Sequence, residues 1–186
     1  GTLDLSNATL TPGSFDVQGG LDVGVGPNAS GELRLPPGKA SVTNITIGSA
    51  DSTSGYVELT GTDLEVSSSL EIGANGEVLV VFDGESGSID LLRSNPDDLT
   101  IASGGLLSLR FTADPVVGSQ PQYGIRMAGN NLDYVQSLMN SGLIATDISG
   151  LSPLWQDLFR ARYNAPGDFT FIGVPEPTSL VILGVA

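Results

Sequence analysis

Apolar and polar positions alternate along the first 115 residues in short runs, each broken by a glycine-containing turn. One phrase recurs as LDVGVGPNASGELRL from Leu21, ITIGSADSTSGYVEL from Ile45, LEIGANGEVLV from Leu70 and, more loosely, LTIASGGLLSLRF from Leu99. The starts lie 24, 25 and 29 residues apart. Further alternating scraps, ASVTN before Ile45 and TDLEV before Leu70, leave room for about three short strands in each period.

Side chains of a strand point alternately to its two faces. Leu21, Val23, Leu33, Leu35, Ile45, Ile47, Val57, Leu59, Leu64, Val66, Leu70 and Ile72 therefore take a core face. Asp22, Arg34, Thr46, Glu58, Glu65 and Glu71 take a wet one. Gly24, Gly48 and Gly73 follow the inward pair at a constant offset, where a corner with a positive backbone angle suits glycine, and ANGE at residues 74–77 reads as a tight turn. Strands this short gain stability when coils stack about 4.8 Å apart and each pairs with its neighbours above and below. The expected fold is mainly β, a right-handed parallel β-solenoid over residues 1–115; an antiparallel β-sandwich accommodates the same alternation and is the alternative. EVLVVFDG, residues 77–84, departs from the pattern by turning Leu79 and Val81 outward, onto a face that the following segment is expected to cover. The repeats resemble the β-helical passenger regions of autotransporter-type surface proteins.

Past Asp114-Pro115 the texture changes. Leu132, Val135, Leu138 and Met139 fall at helical spacing between a capping Asn131 and a stop at Gly142. A second helix is predicted from Pro153 through PLWQDLFRARY, with Ser152 as cap, an apolar side of Leu154, Trp155, Leu158 and Phe159, and Arg160 and Arg162 in its last turn. DFTFIGV, residues 168–174, reads as a strand with YGIRM, residues 123–127, as partner. Residues 116–173 thus form an expected α+β cap closing the end of the solenoid, where an open sheet edge invites aggregation, with the cluster around Trp155 as core.

Composition narrows the chemistry. The 21 acids against seven bases give a net charge of −14, which repels nucleic acid and anionic lipid. Lys39 is the single lysine. Cysteine and histidine are absent, which removes disulfides, thiolates, catalytic triads and imidazole or sulfur metal sites. An enzyme here would have to use carboxylates; the candidates are Asp83 with Glu85 and Asp97 with Asp98, read first as solvated turn residues. The sequence carries no EF-hand loop, no glycine-aspartate calcium array and no P-loop, and GVGPNA fails the dinucleotide fingerprint at Ala29. No catalytic residue, metal site or cofactor is expected. The sequons at Asn7, Asn28 and Asn44 are read as chance matches.

The sequence closes on VPEPTSLVILGVA, residues 174–186, in which Pro-Glu-Pro precedes nine uncharged residues. A membrane helix needs about twenty apolar residues, so the segment is expected to be the start of a longer tail. The beginning at Gly1, without methionine or an export signal, suggests a mature or excised piece. Val174, Pro175, Glu176 and Pro177, with the aliphatic run after them, resemble the start of the PEP-CTERM sorting signal of exported bacterial proteins, although the basic cluster that ends that signal is missing. The resemblance implies processing by an exosortase-type enzyme, transient anchorage in the inner membrane, a Gram-negative source and an exopolysaccharide-rich surroundings. The expected function is that of an exported, non-enzymatic structural or adhesive protein of the cell surface or extracellular matrix. A carbohydrate-binding or carbohydrate-active β-helix is the alternative.

Overall fold

The computed structural model describes residues 2–4, 15–84, 87–93, 98–116 and 123–174. The strands run β1 (Thr2–Asp4), β2 (Phe15–Val23), β3 (Ser30–Leu35), β4 (Gly38–Ile47), β5 (Ser54–Thr60), β6 (Thr62–Ile72), β7 (Gly76–Phe82), β8 (Ser88–Leu91), β9 (Leu99–Ile101), β10 (Leu106–Phe111) and β11 (Tyr123–Ala128). Helix α1 (Leu132–Asn140), β12 (Ile144–Asp147), helix α2 (Pro153–Leu158), β13 (Arg160–Asn164) and β14 (Phe169–Val174) follow. The strands separate into two sheets, one ordered β1-β3-β5-β7-β10-β12 and the other β13-β14-β11-β8-β6-β4-β2, with β9 also paired to β6. Every ladder among β1 to β10 is parallel, which decides for a β-solenoid of about four turns over the sandwich.

The recurring phrases stack in register: Leu21, Ile45, Leu70 and Leu99 are successive partners, as are Val23, Ile47, Ile72 and Ile101. In the six-stranded sheet Leu33, Val57, Val78, Leu107 and Ile144 form one such row. Apart from Leu21, on the outermost described coil, these residues are buried. The three-strand period is present in a merged form. The first half of β6 pairs with β8 and its second half with β9, while in β2 and β4 the two halves are joined across a register shift. In β7, Val78, Val80 and Phe82 face the core, and Leu79 and Val81 sit half-buried on the outer face between Glu58 and Ser108 and between Thr60 and Arg110.

The corner between the two sheets is built from glycine. Gly24 and Gly48 have φ of 64° and 65°, as the offset predicted. Gly73 is not among the residues with positive φ; it is glycine because a Cβ would come within 2.5 Å of the Gly48 carbonyl oxygen. A second column, Gly31, Gly55, Gly76 and Gly105, opens the following strands and packs against the first column's backbone.

Parallel pairing continues past residue 115, since β11 lies parallel to β8 and β12 parallel to β10. Two antiparallel strands then complete the eight-stranded sheet: β14 on β11, as the sequence suggested, and β13 on β14. Helix α1 buries Val135 and Leu138, and the Tyr134 hydroxyl donates to the Leu99 carbonyl at 2.7 Å, fastening the helix to β9. It ends in a Schellman turn at Gly142, where Gly142 N–H donates to Met139 O and Leu143 N–H to Leu138 O. Asn131 does not cap with its side chain; its Nδ2 donates to Ala128 O and its backbone N–H to the Thr170 hydroxyl.

The second helix differs from expectation. It stops at Leu158, and Arg160 and Arg162 lie on β13 rather than in a last helical turn. Leu154 is 46% exposed, while Trp155 is buried as predicted. Leaving the helix lets Phe159 meet Phe111 edge-on at 5.4 Å, against the stacked Phe82–Phe111 pair.

Candidate functional site

The sorting residues begin on the last strand. Val174 closes β14, pairs with Tyr123 and is buried. Pro175, Glu176, Pro177 and the aliphatic tail lie outside the described residues. The strand is fixed tightly here: Gly173 stands opposite Gly124, where a Cβ would lie 1.9 Å from the Ile172 carbonyl oxygen. Among the described residues no helix is long and apolar enough to cross a membrane.

The two outer faces carry the charged chemistry. On the six-stranded sheet Arg34 spans neighbouring coils, donating from Nε to Glu32 Oε1 at 2.6 Å and from Nη1 to Glu58 Oε2 at 2.5 Å. Its guanidinium lies 5.5 Å from the centre of the Tyr56 ring. The Tyr56 hydroxyl donates to Glu58 Oε2 at 3.2 Å. Partial burial, reinforced by the Glu58 carboxylate, pushes the phenol up to about 12. A groove of about 470 Å³ runs beside this ring along the glycine corner, with Asn75, Glu77 and Leu106 on its walls. Asn75 is committed to the fold, since its Nδ2 donates to the carbonyls of Ser49 and Ser52.

On the eight-stranded sheet a groove of about 360 Å³ is lined by Lys39, Ser41, Asp63, Glu65, Ser88 and Asp90. Asp63 accepts from Ser88 Oγ at 3.2 Å and from Gly87 N–H at 3.3 Å. Arg126, on the strand next to Asp90, makes two contacts of 3.0 Å to that carboxylate, and its guanidinium lies 5.8 Å from the Phe169 ring centre. Burial raises the Asp90 carboxyl above the ordinary carboxylate range; Asp63 and Glu65 push the same way and Arg126 opposes them.

Each carboxylate pair singled out in the sequence has one member among the described residues. Asp83 is half-buried after β7, and Asp98 is buried just before β9. Glu85 and Asp97 fall outside the described residues. Among the described residues no group of three or more acids is arranged to hold a metal ion. The Arg34–Glu58 pair was within reach of the sequence, because its spacing of 24 residues equals one period. The Arg126–Asp90 pair, 36 residues apart, was not. No family model, curated protein or solved structure matches the chain.

Proposed function

We propose that this chain is an exported structural or adhesive element of a bacterial surface or extracellular matrix, sorted through Pro175-Glu176-Pro177. The observation that carries this reading is the position of Val174. The folded body is hydrogen-bonded up to that residue, and the triplet starts at the next one. A processing enzyme would therefore meet the motif directly after the last residue of that strand. An exosortase-type transpeptidase is the enzyme such a motif would serve, with an exopolysaccharide-rich matrix as the destination.

The outer faces support a structural rather than a catalytic role. Arg34 and Arg126, the arginines beside the two grooves, are each held by neighbouring carboxylates. A glycan-binding surface would use the groove beside Tyr56, but Arg34 already lies against that ring and Glu58 accepts from its hydroxyl.

The test is mass spectrometry of the C-terminal peptide from surface and culture fractions of the source bacterium, for the natural chain and for Pro177→Ala. A mature end within residues 174–177 in extracellular material, lost in the variant, is expected. An intact tail confined to the inner membrane, or surface display unchanged by the substitution, would sink the reading.

A further inference from the structure

Among the described residues the eight-stranded sheet has an edge strand on each side, β2 at one and β13 at the other. β13 is antiparallel to β14, which is antiparallel to β11, so β13 points the same way as every coil strand of the sheet. A further strand laid on β13 in the coil direction would repeat the pairing that builds the molecule.

The register across the sheet says which residues would then meet. Asp16, Ser41, Glu65, Asp90, Arg126, Phe171 and Arg162 occupy one row on the side of the sheet away from the coil core, strand by strand. Phe171 is buried, and the half-buried Arg162 holds its guanidinium 5.6 Å from that ring's centre. Continuing that row past Arg162 returns to position 16 of a second copy. The row's own interior shows what this contact looks like, because Arg126 already pairs with Asp90 on the adjacent strand at 3.0 Å. The inward rows are incomplete at both ends as well. Val17 and Leu21 are half-buried, whereas their partners Val42 and Ile45 are buried, and Ala161 on β13 is half-buried too. A second coil would cover them.

We propose that copies of this chain associate head to tail, with the β2 edge of one against the β13 edge of the next and Asp16 of one beside Arg162 of the other. Head-to-head contact is disfavoured by the same charges. Antiparallel pairing of two β2 strands about their centre, Gly19, sets Asp16 opposite Asp22, and pairing of two β13 strands sets Arg162 against itself. A head-to-tail contact does not close on itself, so it propagates into an open filament. The inference stands apart from the sorting proposal: association is a property of the purified chain, whether or not it is exported.

The experiment is light scattering or sedimentation of the full chain across a concentration series. Mass should rise with concentration beyond a dimer, and Asp16→Arg should weaken self-association on the order of tenfold. Asp16→Arg and Arg162→Asp should each associate weakly alone, while their equimolar mixture should regain association beyond the dimer, since the native ends pair and the two reversed ends, arginine at 16 and aspartate at 162, are complementary again. If Arg162→Asp does not fold, Asp16→Arg added to the natural chain decides by itself, because it should terminate and shorten the oligomers. A monomer at every concentration overturns the proposal. So does stronger association of Asp16→Arg alone, the result that pairing of two β2 strands would give.

Discussion

Replacing Gly48 by alanine tests whether the glycine corner holds the coils together. Gly48 has φ of 65°, which costs an alanine about 1–2 kcal/mol. The added methyl would also sit 2.5 Å from Gly76 N, 2.6 Å from Asn75 C and 2.7 Å from Gly76 Cα, all backbone atoms of the adjacent coil. Relief requires moving that backbone, which carries the Gly55 N–H to Asn75 O bond at 2.8 Å and the Gly76 N–H to Gly73 O bond at 2.9 Å. Losing these two bonds, at about 1 kcal/mol each, brings the total to about 3–4 kcal/mol.

Gly142 supplies the comparison. Its φ is 76°, yet nothing lies within 4 Å of a Cβ built there, so Gly142→Ala carries only the backbone strain of about 1–2 kcal/mol. In thermal unfolding followed by circular dichroism, a chain of this size shifts by about 2–4 °C per kcal/mol. Gly48→Ala should therefore unfold on the order of 10 °C below the natural protein, and Gly142→Ala only a few degrees below it. Equal losses in the two variants would refute the interlocking of the coils and leave backbone angle as the whole reason for glycine at position 48.

Two further substitutions probe the cap and its junction with the solenoid. Arg126→Met leaves Asp90 without its cation, and because both groups are partly exposed the cost at neutral pH should be about 1 kcal/mol in urea unfolding. The sign of its pH dependence is fixed. Asp90 titrates above the ordinary carboxylate range in the folded state, so stability is fullest below the unfolded value and falls as pH rises through the folded one. Removing Arg126 raises the folded value further, and the variant's deficit should shrink in acid. Thr170→Val should cost about 1–3 kcal/mol, since this buried hydroxyl accepts from Asn131 N–H at 2.7 Å and donates to Gly129 O at 2.9 Å. Faster hydrogen exchange at the Asn131 amide would report the loss directly.

Much of the solenoid was legible because stacking converts a sequence period into a spatial neighbour. Once Leu21, Ile45, Leu70 and Leu99 are aligned, the inward rows and the Arg34–Glu58 contact follow from addition. The second glycine column was also legible, standing inside the recurring phrases at Gly31, Gly55, Gly76 and Gly105, but its reason is the proximity of another coil's backbone and not a local angle. The cap was harder. LFRARYN, residues 158–164, satisfies a helical and a strand pattern alike, and tertiary demands settle it: Phe159 gains Phe111, and β14 gains a partner on its second edge. Arg126 and Asp90 could not be matched from sequence, because the residues between them leave the repeat.

How a chain with a net charge of −14 stacks its coils at all is answered by the outward rows. In a parallel solenoid each period sets like positions about 4.8 Å apart, where two carboxylates repel by about 1 kcal/mol even in water. The row Asp22, Thr46, Glu71, Thr100 alternates acid with hydroxyl, so that equal charges stand two rungs apart. Asp16 beside Ser41 and Asp63 beside Ser88 follow the same rule, and in both the serine donates to the acid. The rule fails where Glu65 stands next to Asp90. There the carboxyl of Asp90 is raised, and the next strand supplies Arg126. Charge on these coil strands is therefore arranged along the stacking axis, with acids set beside hydroxyls except where Glu65 meets Asp90. That ordering gives the solenoid a direction, from the acid at Asp16 to the cation at Arg162.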